Sequence, residues 1–241
     1  MSIDSHSSDS AAAANNHPRG SIFLIPLSQR RRSIIQFTFI TILGWVVGGI
    51  VSTLLEKSLV QILPNAVLLE PLTKNLLAKS LNSIVFAVIF AAFQAFVLRR
   101  YISSWLWLLA TCVGWLLANS VSTTWINYIL AIAVSTNKNL SPKAIFFWGF
   151  MSTFAYILSA IWLGICQWLV LRLYTKNSGL WIFLPSLAFL CISFLVLLLS
   201  QLEPLLPNSY QTVILYWSEQ FFTALILGII PALGLCKLKR G

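Results

Sequence analysis

RRRSIIQFTFITILGWVVGGIVSTLLEK, residues 30–57, decides the fold. Three arginines open it, Glu56 and Lys57 close it, and Ile34–Leu55 between them carries no charge. About 20 apolar residues in a helix cross a hydrocarbon core of ~30 Å, so this stretch is long enough to span a bilayer. Five more stretches have the same character, at 81–98, 104–122, 145–171, 180–200 and 219–236. None has a charged residue or histidine in its interior; the 16 Lys and Arg, 6 acids and 2 His fall in the N-terminal segment, between the stretches or at their ends. The chain reads as an all-α polytopic membrane protein with six transmembrane helices. Its composition agrees, with 58% hydrophobic and 9% charged residues and a mean hydropathy of +0.84.

Residues 1–33 read as a disordered, basic cytoplasmic tail, rich in Ser, Ala and Asn at its start and without an apolar period. Residues 34–241 read as the transmembrane domain. The stretch after Arg30, Arg31 and Arg32 is too long for the apolar core of a cleavable signal, so it reads as an uncleaved first helix. Positive-inside bias puts that end in the cytoplasm. Alternation then places Arg99, Arg100, Arg172, Lys176, Lys237, Lys239 and Arg240 with it, and leaves Lys57, Lys74, Lys79, Lys138 and Lys143 on the far side. Both termini are expected in the cytoplasm. A net charge of +10 spent at helix ends in this way does not indicate nucleic acid.

Two apolar segments, Ser58–Leu69 and Trp125–Val134, are too short to span alone. They read as helix extensions or interfacial pieces, with extension preferred for the second. Leu69-Glu70-Pro71, Leu140-Ser141-Pro142 and Leu202-Glu203-Pro204 each mark a point where an even-numbered helix can start early, since Pro fits the first helical turn and Ser141 can cap it.

A threefold internal repeat is expected, at about 34–100, 104–174 and 179–240. Odd helices align as Phe37…Gly44-Trp45…Gly48, Trp107…Gly114-Trp115…Ala118 and Trp181…Ala188-Phe189. Even helices align through Gln94-Ala-Phe-Val-Leu-Arg99 and Gln167-Trp-Leu-Val-Leu-Arg172, with Gly228-Ile-Ile-Pro231 against Gly164-Ile-Cys-Gln167. Gly44, Gly48, Gly114, Ala118, Gly164 and Gly228 read as helix-packing positions, because small side chains let backbones approach closely in lipid. Trp105, Trp107, Trp168, Trp181, Trp125, Trp148 and Trp217 read as interfacial belts. Trp45, Trp115 and Trp162 read as mid-membrane rings packed on small residues.

Gln94 and Gln167 are the candidate polar interior. Each lies five residues before a basic end, about 7.5 Å deep by helical rise. A buried amide needs a partner. Two readings stand: interhelical hydrogen bonds, or a polar vestibule on the cytoplasmic side with Asn119 deeper. Pro231 in the third unit rules out a symmetric ring of three amides.

Catalytic chemistry is hard to build from what remains. A nucleophile needs a base within hydrogen-bond reach, and the spans hold none. Cys112, Cys166, Cys191 and Cys236 lack metal-ligand spacing and read as apolar packing residues, so no metal and no cofactor is expected. Proton-coupled transport generally uses intramembrane acids or His, also missing here. Glu56, Glu70, Glu203 and Glu219 read as solvated loop charges, with Glu219 favouring the N-terminus of the sixth helix.

GICQWLVLR (Gly164–Arg172), followed by Trp181, resembles the repeat unit of cyanobacterial-type bacterial multi-pass membrane proteins, G-x-x-Q-W-L-V-L-R, a short turn, Trp, then Gly-Trp. Gln94–Arg99 with Trp105, Trp107 and Gly114-Trp115 is similar to a second copy. The resemblance implies an integral protein of a bacterial plasma or thylakoid membrane, and no particular activity. The Pro-x-acid-x-x-base motif of mitochondrial carriers, another three-by-two-helix family, is missing. The expected function is a non-enzymatic structural or interaction component, partnered by the lipid bilayer and by a second copy or another membrane protein. The alternative is a transporter of small solutes or lipophilic substrates, or its membrane-embedded binding subunit.

Overall fold

The computed structural model describes residues 23–62, 71–136, 142–202, 204, 207 and 210–241. Six helices dominate: α1 (Arg30–Ile62), α2 (Pro71–Leu98), α3 (Ser104–Thr136), α4 (Pro142–Leu171), α5 (Leu184–Leu202) and α6 (Gln211–Lys237). All six are long and apolar enough to cross a membrane. Each packs on its neighbours in the chain, and α6 returns to pack on α1, so the helices close into a ring.

Pro71 and Pro142 each open an even helix, where the missing N–H costs nothing. Trp125–Val134 continues α3, and α1 carries on through Ser58 to Ile62, with 63–69 outside the described residues. Ser141, the expected cap, also lies outside them. The last helix pair departs from expectation. α6 begins at Gln211 rather than at Pro204, because Pro207 forms a turn whose carbonyl accepts from the N–H groups of both Tyr210 and Gln211. At its head, a 3-10 helix (Gly179–Phe183) precedes α5. Pro231 lies inside α6, so the Leu227 carbonyl lacks its helical N–H partner there.

At the basic end the chain segments tie together. Strand β1 (Thr175–Lys176) pairs antiparallel with β2 (Lys239–Arg240), and Phe23 bridges to Lys239. Leu24 N–H donates to the Leu238 carbonyl at 2.9 Å, and Gly241 N–H to that of Tyr174 at 2.9 Å. Residues 23–29, the turn after α4 and the C-terminus therefore share one end of the bundle. Leu24 and Ile25 are buried there, and the Arg30 guanidinium stacks on the Phe23 ring at 4.4 Å.

Glycine sets how closely the helices approach. A Cβ on Gly44 would come within 2.8 Å of Phe93 Cβ on α2, and one on Gly114 within 2.9 Å of Leu163 Cα on α4. On Gly228 it would meet Thr38 Cα of α1 at 2.9 Å. Gly164 is the tightest, with the Ile182 backbone pressed against it. Real Cβ atoms do not come this close to a backbone atom or to another residue's Cβ, so these contacts require glycine.

Candidate functional site

Three layers stack along the bundle axis. The layer at the basic end is filled. Phe37, Leu98, Trp107, Leu171, Trp181 and Leu235 pack in one buried cluster. Trp107 and Trp181 meet edge to face at 6.0 Å and are fully buried, so they are core rings and not the interfacial anchors that their position suggested. Gln94 and Gln167 are both buried in this half. Gln167 is engaged on both sides: its Nε2 donates to Thr111 Oγ1 at 3.2 Å, and its Oε1 accepts from Trp181 Nε1 at 3.0 Å. The amide thus ties α4 to α3 and to the 3-10 helix before α5. Gln94 Oε1, Trp107 Nε1 and Thr41 Oγ1 are buried without a partner. Asn119 is not brought to either amide; it lies eight residues beyond Thr111 on α3, about 12 Å along the axis.

The middle layer is aromatic. Trp45 (α1), Phe86 and Phe90 (α2) and Trp115 (α3) all contact one another, with centroids 5.1–6.0 Å apart. Trp115 reaches Phe189 (α5) at 6.2 Å, and Phe189 meets Tyr156 (α4) at 4.9 Å. Trp45 and Trp115 therefore pack on other rings, and Trp115 also packs, as expected, on the small residues Ala87, Ala91 and Cys112. Trp162 is 45% exposed on the outside, where it lines an apolar groove of about 540 Å³ between α3 and α4.

Beyond the rings the far half opens into a polar cup. One cavity of about 270 Å³ is lined by Lys79, Asn82, Ser83, Phe86, Trp115 and Asn119. A second, of about 340 Å³, lies at the α1–α6 seam and shares Phe86 with the first. A small one of about 30 Å³ shares Trp115 and Asn119 and adds Ser122, Tyr156 and Ser159. Hydrogen bonds between helices brace the walls: Asn119 Nδ2 donates to Ser83 Oγ at 3.0 Å, Trp45 Nε1 to Gln220 Oε1 at 3.0 Å, and Asn82 Nδ2 to Glu56 Oε2.

Sequence reasoning missed most of this cup. Glu56 is a half-buried member of α1 and not a loop charge. Glu219 stands eight residues inside α6, too deep to serve its N-terminus, and within electrostatic reach of Tyr156. The available signal was the polar spacing Lys79, Asn82, Ser83, which puts three hydrogen-bonding groups on one face of a helix. Among the described residues no three His, Cys, Asp or Glu are grouped to hold a metal.

Comparison with protein-family models, with curated proteins and with solved structures finds no match to this chain.

Proposed function

We propose that the chain is a non-enzymatic integral membrane protein, crossing the bilayer six times as three repeated helix pairs, and that it acts as a structural or interaction component of that membrane. The observation that carries the membrane reading is the outer surface of the bundle. Ile35, Phe39, Ile50, Leu54, Phe194 and Leu197 are more than half exposed on helices whose inward positions are Gly, Ala, Thr and aromatic rings. Soluble proteins rarely expose contiguous apolar area on that scale, whereas lipid covers it without cost.

The repeat is supported by contacts that recur at the same spacing as the sequence alignment. Leu98, Leu171 and Leu235 are each essentially fully buried and accept from the N–H three residues on, at Tyr101, Tyr174 and Leu238. Gly44 packs on Phe93 and Phe90, and Gly114 on their counterparts Cys166 and Leu163. Gly164 packs on Ile182, and Gly228 on Thr38, the residue aligned with Ile182. The Thr111–Gln167–Trp181 set has Thr41, Gln94 and Trp107 as its first copy, and Pro185, Pro231 and Phe37 as its third. All three polar members are replaced together in the third copy, which leaves no amide or indole N–H stranded.

A non-catalytic role is supported by how the polar groups of the basic half are used. They bond one another or sit in a packed layer, and among the described residues no acid, His or Lys belongs to that buried cluster to move a proton. The cup favours a second reading, a membrane-embedded binding subunit or transporter of small solutes or lipophilic substrates. Membership of the bacterial group with G-x-x-Q-W-L-V-L-R repeats, a plasma or thylakoid membrane location and a homo-oligomeric or membrane-protein partner belong to the same proposal. So do cytoplasmic termini, which the basic end and the Leu24–Leu238 bond support.

Alkaline carbonate extraction of membranes, followed by cysteine accessibility labelling, tests the reading. The chain is expected to stay with the lipid, with Arg99→Cys and Arg172→Cys labelled from the cytoplasmic side and Lys57→Cys from the other. Labelling of Arg99→Cys and Lys57→Cys from one side would sink the six-span arrangement. Solute uptake by proteoliposomes, abolished by Asn82→Leu with Asn119→Leu, would move the conclusion to the second reading.

A further inference from the structure

We infer that the far-half cup holds the headgroup of a zwitterionic phospholipid, with an acyl chain leaving through the seam between α1 and α6. This rests on the membrane reading above. The seam cavity has two faces. Val46, Ile50 and Leu54 are apolar and exposed on the outer wall, while Gln220 and Thr53 supply hydrogen-bonding groups. An opening apolar toward lipid and polar toward the interior fits an amphiphile and nothing that is polar throughout.

Gly49 lines that opening and points to the same conclusion. Gly44 and Gly48 on the same helix are explained by close approach to Phe93 and Phe86. A Cβ on Gly49 would meet nothing within 4 Å. Glycine is a poor helix former, and no packing contact asks for it here. Its effect is to keep the seam open.

The cup's charges select the headgroup. Lys79 on α2 and Lys57, which lines a cavity with Glu56 and Thr53 on α1, supply cations, while Glu56, bonded to Asn82, and Glu219 on α6, within electrostatic reach of Tyr156, supply carboxylates. An anionic headgroup would leave both acids unmatched, and a simple cation would leave both lysines unmatched. A phosphate near Lys79 with an ammonium toward the carboxylates and the aromatic floor satisfies both signs. Trp45 occupies only the oxygen of Gln220, leaving its NH2 group to donate. An ion on the bundle axis is disfavoured, because the aligned positions Ser83, Tyr156 and Gln220 differ in all three units where the packing positions repeat.

The test uses the full chain reconstituted in nanodiscs of equal phosphatidylethanolamine and phosphatidylglycerol, then native mass spectrometry of lipid retained after mild detergent release. One phosphatidylethanolamine per chain is expected, held at least about fivefold over phosphatidylglycerol. Gly49→Leu is expected to cut that retention by about fivefold or more. Gly149→Leu, where a Cβ also meets open space but which lies on α4 outside the cup lining, is expected to leave it unchanged. Lys79→Gln is expected to erase the headgroup preference. Equal retention in wild type and Gly49→Leu, equal loss in both glycine variants, or a phosphatidylglycerol preference would each overturn the inference. A chain that stays in carbonate-washed membranes yet retains no lipid defeats this inference alone; one that is washed out defeats the membrane reading beneath it.

Discussion

Trp181 and Gln167 share a hydrogen bond of 3.0 Å between the 3-10 helix that leads into α5 and the last turns of α4. The indole N–H donates to the amide oxygen, and the amide nitrogen passes the link on to Thr111 of α3 at 3.2 Å. One buried side chain therefore joins three consecutive elements. The Gly164 backbone, one turn earlier on α4, lets the Trp181 segment come close enough for that bond to form.

Replacing Gln167 tests how much the link contributes. Gln167→Leu strands a buried indole N–H and a buried hydroxyl, a loss expected at about 1–3 kcal/mol. Gln94→Leu removes an amide whose oxygen is already unpartnered, so it is expected to be neutral or mildly stabilising. Unfolding of the two purified variants in mixed micelles compares them. Equal losses would mean that Gln94 bonds Trp107 as Gln167 bonds Trp181.

The glycines divide in the same way. Gly164→Ala sets a methyl within 2.7 Å of the Ile182 carbonyl carbon, and backbone cannot swing aside as a side-chain tip can. Overpacking of this kind costs about 1–3 kcal/mol. Gly49→Ala meets open space and improves helix propensity, so its unfolding free energy is expected to stay or to rise by up to about 1 kcal/mol. A destabilised Gly49→Ala would show that the seam is closed by something else.

Much of this was legible in the sequence because it depends on local chemistry. Six uncharged apolar stretches forecast six helices, and Pro71 and Pro142 forecast where α2 and α4 begin. Gly44, Gly114, Gly164 and Gly228 fell where backbones touch. The misses depend on packing partners far along the chain. Nothing local separates the buried Trp107 and Trp181 from the exposed Trp105, since each sits near a helix end and only the facing helix decides its burial. Glu219 reads as terminal in sequence because it stands at the edge of an uncharged stretch. It lies well inside α6, opposite groups from α4 that no window of neighbouring residues contains. Pro204 looked equivalent to Pro71 and Pro142, yet Pro207 follows it and delays the helix.

The strand pair at the basic end is two residues long on each side and exposed except at Thr175, so its contribution is expected to be local. Deleting residues 239–241 removes the Thr175–Arg240 and Lys176–Lys239 pairings and the Gly241 bond to Tyr174. Amide exchange at Thr175 and Lys176 is expected to accelerate, while the helix cores keep their protection. Loss of protection in α4 or α6 would show that the strand pair holds the ring closed.

Trp115 and Trp162 give the sharpest contrast, because they read alike in sequence and differ in structure. Trp115 touches Trp45, Phe86, Phe90 and Phe189, so truncating it opens a void where four helices meet. The cavity cannot collapse without moving rings that themselves contact other helices, and Trp115→Ala is expected to cost about 3–5 kcal/mol. Trp162 is 45% exposed on the outer groove, where surrounding lipid refills the space a smaller side chain leaves. Its replacement by Ala is expected to cost at most about 1 kcal/mol, the scale of a substitution away from the core. Chemical unfolding in micelles measures both. A Trp115→Ala variant as stable as Trp162→Ala would remove the aromatic layer as the floor of the cup, and with it the division of the bundle into a packed half and an open one.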